Sequence, residues 1–146
     1  MSNVVDALPR NELIAEFSMW SANLIRLYDD LERIEGHADV LHIDVADGHF
    51  APALLFFPDQ VAAMRKASNI PIHVHLMVAD AVLLSQIDQF AEAGCDIISV
   101  HAENANAAEA IDRIKHRHGV EKVIRATTLN VNKRVRMEMN MFKGNV

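Results

Sequence analysis

Short apolar runs alternate along this chain with longer stretches in which apolar residues return every three or four positions. Ile14–Trp20 reads as a first strand. In 24–35, Leu24, Ile25, Leu27, Leu31 and Ile34 have helical spacing. Val40–Val45 is a second strand. Pro58-Asp59 opens a helix that runs to about Ser68, because proline suits a first turn and an early carboxylate suits the helix dipole. Ile70–Leu76 is a third strand. Asp80 is suited to cap a helix that stops at Gly94. Cys95–Val100 is a fourth strand, 104–118 is helical and is stopped by Gly119, and Val123–Thr127 is a possible fifth strand. Strand and helix alternating every ~25–30 residues predicts βαβ units on a parallel sheet, in the α/β class. The nearly continuous apolar character of the strands fits a sheet covered on both faces. A closed barrel and an open doubly wound sheet both remain available. No Gly-x-Gly-x-x-Gly follows any strand, which weighs against a dinucleotide site.

The 146 residues are 51% hydrophobic, enough for one ordinary domain core. A net charge of -6 gives no electrostatic footprint for nucleic acid. The single cysteine, Cys95, excludes an internal disulfide and fits a reducing compartment. The first 15 residues lack the apolar segment of a signal peptide, and no run reaches the ~18–20 apolar residues of a membrane span. A cytoplasmic protein is the expectation. Charge is unevenly spread: residues 121–146 carry six basic and two acidic side chains, leaving 8 basic and 18 acidic before them. The expected organisation is one domain over 1–120 and a divergent basic tail over 121–146, where Met137, Met139 and Met141 alternate with polar residues.

The chemistry concentrates in 39–50, Asp-Val-Leu-His-Ile-Asp-Val-Ala-Asp-Gly-His-Phe. His42 and Asp44 stand at i and i+2, so in a strand they share one face. His73 and His75 repeat the pattern in Pro71–Met77. Ser18, His42, Asp44, His75 and His101 all fall near the carboxyl ends of predicted strands, where parallel α/β folds place their sites. A histidine and a carboxylate there suit a metal or a proton transfer; the plainer reading is an internal hydrogen bond. His73 reads as a satisfied or solvated histidine rather than a ligand, and His101 as pocket-lining or structural. Asp47-Gly48 reads as a turn in which Asp47 accepts from backbone amides. His116 and His118 sit at a helix end, where a cation suits the dipole. Cys95 reads as inert packing.

Four of these segments, in order, resemble the ribulose-phosphate 3-epimerases and related sugar-phosphate 3-epimerases, over about residues 14–119. Ser18-Met19-Trp20-Ser21-Ala22-Asn23-Leu24 is similar to the family's first strand and turn. His42 through Pro52 resembles its signature His-x-Asp-x-Met-Asp-Gly-x-Phe-Val-Pro. Val74-His75-Leu76-Met77 resembles Val-His-Leu-Met, and His101-Ala102-Glu103 resembles His-x-Glu. The resemblance implies a (β/α)8 TIM barrel, of which 146 residues hold roughly the first four to five βα units. It implies a divalent metal (zinc, iron or manganese) on His42, Asp44 and His75, with a further aspartate from strand seven. It implies Asp44 as an acid/base in epimerisation at C3 through an enediolate, and Ser18, His42 and Met77 against a sugar-phosphate substrate.

The chain also departs from that pattern. Ala46 stands for a usual Met, Ala53 for Asn, Leu55-Phe56-Phe57 for a Thr-Ile/Phe-Gly-like run, and His73 for a frequent Asp. After Gly119 the sequence reads Glu121-Lys122-Val123-Ile124-Arg125-Ala126-Thr127, without the family's strand-seven aspartate or phosphate-holding glycine loops. The expectation is therefore impaired turnover by these residues alone. The alternative is a non-enzymatic half-barrel that self-associates, or pairs with a full-length relative, through exposed sheet edges.

Overall fold

The computed structural model describes residues 4–9, 11–117 and 124–127. Five parallel strands run in sequence order across one sheet: β1 (Glu16–Ser18), β2 (Val40–Asp47), β4 (Ile72–Met77), β5 (Ile97–His101) and β6 (Ile124–Thr127). A two-residue strand, β3 (Leu54–Leu55), pairs antiparallel with Ala46 and Asp47. The helices are α1 (Val4–Ala7), α2 (Leu27–Ile34), α3 (Pro58–Ala67), α4 (Asp80–Glu92) and α5 (Ala107–Arg117). Consecutive parallel strands lie side by side without a reversal of order. That order is consistent with part of a barrel wall, not with a doubly wound sheet.

Every element expected from the pattern is present, usually shorter by a few residues. The expected strand 14–20 is only Glu16–Ser18, followed by a 3-10 turn at Met19–Ser21. Neither α1 nor β3 is legible in the hydrophobic pattern. Most of the expected tail over 121–146 lies outside the described residues, as do His118 and the alternating methionines; Ile124–Thr127 is the part described.

β4 and the middle of β2 alternate rather than run uniformly apolar, whereas residues 97–100 of β5 are buried throughout. Leu41, Ile43 and Val45 of β2 and Ile72, Val74 and Leu76 of β4 are buried. With Leu83, Ile87 and Phe90 of α4, Val61 and Met64 of α3, and Ile114 of α5 they form the core. The i, i+4, i+7 spacing in α4 is what turns one helix face onto the sheet. The alternate strand residues, His42, Asp44, His73, His75 and Met77, lie on the opposite face and are half-buried. Only one side of the sheet is therefore covered by helices, and the other carries the polar groups.

Chain punctuation places the strand ends. α4 closes in a Schellman arrangement: Gly94 N–H donates to Ala91 O, Cys95 N–H donates to Phe90 O, and Gly94 has φ +95°. The expectation that Asp80 caps α4 is not met. Ala79 is the N-cap, and Asp80 is the first helical residue. Its carboxylate instead accepts from Asn104 Nδ2 at 2.8 Å and Ala105 N at 3.2 Å, joining α4 to the loop after β5. The helix begins one residue too early for the cap reading: Asp80 already lies in its first turn, and its carboxylate is engaged by the neighbouring loop. The Ala79 amide is taken up by Asp47 Oδ2 at 2.7 Å.

Candidate functional site

The polar face of the sheet carries two connected clusters. β2 presents His42 and Asp44, β4 presents His73 and His75, and parallel register sets His42 beside His73 and Asp44 beside His75. In the upper cluster, Asp44 Oδ1 accepts from His42 Nε2 at 3.0 Å and from His75 Nδ1 at 3.1 Å. Asp44 Oδ2 accepts from Ser18 Oγ at 3.2 Å. The second nitrogen of each ring is also engaged. His75 Nε2 meets His101 Nε2 at 2.8 Å, and His101 Nδ1 lies 3.5 Å from Glu103 Oε2. Phe50 packs on the His101 ring, with centroids 4.7 Å apart.

The lower cluster centres on Glu16, two residues before Ser18 and on the same strand face. Its Oε1 accepts from His42 Nδ1 at 2.9 Å and His73 Nδ1 at 2.5 Å. His73 Nε2 accepts from Ser99 Oγ at 2.9 Å. His73 is thus a satisfied histidine, as its sequence setting suggests. The pattern gave no warning of Glu16 or Ser99. An acidic residue inside an otherwise apolar run, at i−2 from Ser18, was the available signal for Glu16.

The electrostatics follow from these pairings. Burial works against the charge on His42, but its hydrogen bonds to Asp44 and Glu16 outweigh that and push it up to about 9. Burial likewise opposes ionisation of Glu16, and the bonds from His42 and His73 override it, lowering it to about 2. Asp44 is held well below the usual carboxylate range: burial again opposes, and His42 and His75 prevail. His73 and His101 go the other way; burial pushes both down and keeps them neutral. The site is thus an ionised Asp44 and Glu16 sharing a cationic His42.

Among the described residues, two sets of side chains have ligand atoms close enough to hold a metal ion: His42, Asp44 and His75, and Glu16, His42 and His73, each within 4.8 Å of one another. The first set is two imidazole nitrogens and one carboxylate oxygen, a donor set suited to zinc, iron or manganese. Asp47 stands apart from both. Its Oδ1 accepts from His49 N and Phe50 N at 2.9 Å each, so it is the turn device that its Asp-Gly setting implied. Met77 pairs in register with Ala46, one same-face step beyond Asp44 and His75. His116 is exposed in α5, and Cys95 is buried in the core.

Residues 14–141 match the family model described as the ribulose-phosphate 3-epimerase family. The chain belongs to this family. Among its relatives in the family, ribulose-phosphate 3-epimerase of Bacillus subtilis is 44% identical over 87 residues, covering 59% of this chain and 39% of the relative. The chloroplastic ribulose-5-phosphate-3-epimerase of Arabidopsis thaliana is 35% identical over 103 residues, covering 70% and 36%. The Helicobacter pylori J99 enzyme is 36% identical over 110 residues, covering 75% and 45%. This epimerase-family chain therefore spans less than half the length of each of these relatives. The solved structure of N-(5'-phosphoribosyl)anthranilate isomerase from Pyrococcus furiosus is similar in fold, with a TM-score of 0.54 at 18% identity, covering 90% of this chain and 64% of that one. Dihydropteroate synthase from Burkholderia cenocepacia gives 0.52 at 19%, covering 88% and 43%. Both likenesses concern the α/β fold alone. Among the described residues, no helix is long and apolar enough to cross a membrane.

Proposed function

We propose that this chain carries one half of the active site of a metal-dependent 3-epimerase acting on a ketose phosphate, either ribulose 5-phosphate or a related sugar phosphate, in the cytoplasm. The observation that carries this reading is the convergence of His42 Nε2, His75 Nδ1 and Ser18 Oγ on the two oxygens of Asp44. His42, Asp44 and His75 would hold the divalent metal. When bound, the metal supplies Lewis acidity toward the oxygens flanking the reacting carbon. Asp44, kept ionised, is the base that takes the C3 proton from one face of the sugar. Ser18 holds the other Asp44 oxygen and so fixes the direction in which the carboxylate can accept. Met77 and the backbone around Ala46 shape the wall above it.

Epimerisation also needs a proton donor on the opposite face and a grip on the phosphate. Neither has a candidate among the motifs that resemble the family, so slow or absent net epimerisation is expected from the 146 residues alone. Removal of the C3 proton would fall to Asp44 and does not require the donor on the opposite face. The test is to incubate the chain with Mn²⁺ and ribulose 5-phosphate in D₂O and to follow C3 deuteration and epimer formation by NMR. Exchange lost in Asp44→Asn supports the reading. No exchange by a folded, metal-loaded chain refutes it.

A second reading, self-association or pairing with a full-length relative, is favoured by the unclosed path of the sheet from β1 to β6 among the described residues and by exposed Leu13, Ile25 and Leu54. A monomer by light scattering, alone and mixed with a full-length relative, removes it.

A further inference from the structure

The metal-ligand reading assigns the nitrogen of His42 that faces Asp44 and leaves the other side of that ring unexplained. On that side lies Glu16, whose side chain is only 12% exposed. One of its oxygens receives both His42 Nδ1 and His73 Nδ1. The His73 ring stands edge-on to His42, with centroids 4.8 Å apart at 79°, and is tied at its far nitrogen to the buried Ser99 hydroxyl. The carboxylate is therefore fixed by a chain of contacts from β5 through β4 to β1.

The consequence for His42 is chemical. A carboxylate oxygen only accepts, so the ring nitrogen facing it must carry a hydrogen. In a neutral imidazole that leaves the lone pair on Nε2, which points toward Asp44 and His75. Ligand histidines are commonly held in this way by a carboxylate on the remote nitrogen, which sets both tautomer and ring orientation. We infer that Glu16 is a positioning residue for the candidate metal centre, holding His42 in the Nδ1–H tautomer and aiming its Nε2 at the site. β1 then braces two ligands with two side chains on one face: Glu16 holds His42, and Ser18 holds Asp44. Glu16 as a ligand to a second ion with His42 and His73 is the competing arrangement. It would strip both ring hydrogens from a His42 that served two ions at once.

The inference rests on His42, Asp44 and His75 being the ligand set, and the experiment separates the two. Zn²⁺ affinity of the full chain is measured by competition with a chromophoric chelator, stoichiometry and the visible ligand-field spectrum with Co²⁺. Wild type is expected to take up one ion. Glu16→Ala is expected to bind it about 10–100-fold more weakly at the same stoichiometry, with a changed cobalt spectrum. Glu16→Gln, which keeps an acceptor oxygen without the charge, falls between and carries the test should the alanine variant fail to fold. Long-range ¹H–¹⁵N spectra of the zinc form are expected to place the His42 hydrogen on Nδ1 in wild type and in Glu16→Gln, where an acceptor oxygen remains, and to lose that single assignment in Glu16→Ala. Wild-type affinity and spectra in both variants overturn the inference. Two ions in wild type and one in Glu16→Gln overturn it in favour of Glu16 as a ligand. No ion bound by wild type refutes the ligand set itself, and the inference falls with it.

Discussion

The cationic His42 between two carboxylates makes stability depend on alkaline pH in a way that can be worked through. Its folded value of about 9 exceeds the unfolded value of 6.5. The folded chain therefore binds a proton that the unfolded chain releases, and the resulting stability is fully present below about pH 6.5 and lost as pH rises through about 9. At ~1.4 kcal/mol per unit, the whole shift corresponds to about 3 kcal/mol, of which roughly 2 kcal/mol is lost between pH 7 and 9.5. The lowered Glu16 and Asp44 report the same pairings from their own side and are not added. His73 and His101, held neutral, lose stability only toward acid, so a comparison begun at pH 7 avoids them. The assay is urea unfolding of the metal-free chain, with chelator present, followed by circular dichroism at both pH values. His42→Gln is the control. Wild type should lose about 2 kcal/mol more than the variant over that interval. Equal losses would mean that His42 is not charged in the folded chain and would refute the electrostatic account of the site.

Saturating Zn²⁺ should raise the melting temperature of wild type and leave Asp44→Asn unmoved, because ligand binding to the folded state stabilises it by mass action; the measurement is a thermal melt with and without chelator. Asp47→Ala removes the acceptor for three backbone N–H groups, those of His49, Phe50 and Ala79, and should cost about 2–4 kcal/mol in urea unfolding, with Asp47→Asn costing less. Gly94→Ala should cost at least ~1 kcal/mol, since φ is +95° and the added Cβ would sit 2.9 Å from Arg65 Cγ. An unchanged urea midpoint for Gly94→Ala would show that α4 can close without its left-handed residue.

The parts of the molecule legible in sequence are those set by local period. Val40–Asp47 and Ile72–Met77 carry two patterns at once: alternate apolar residues that reach the helices, and alternate polar ones that reach the site. His42, Asp44 and His75 were therefore identifiable as one face, and register brings them together as that face requires. Glu16 was not identifiable, because its meaning comes from His42 and His73, 26 and 57 residues away. The same limit applies to Asp80, which reads as a cap until the loop at Asn104 is brought beside it. β3 is two residues long and exists through pairing with β2, so no period could announce it.

The polar inner face of the sheet has a consequence for how the chain is made. Successive parallel strands are spatial neighbours, and the apolar side of each is covered by the helices that connect them. The face left open to water holds histidines, carboxylates and hydroxyls that already satisfy one another. A growing polypeptide can therefore lay down each unit on the edge of the last as it leaves the ribosome, because the apolar side chains of the inner wall, such as Val40 and Ile97, are interspersed with polar groups that pair with one another.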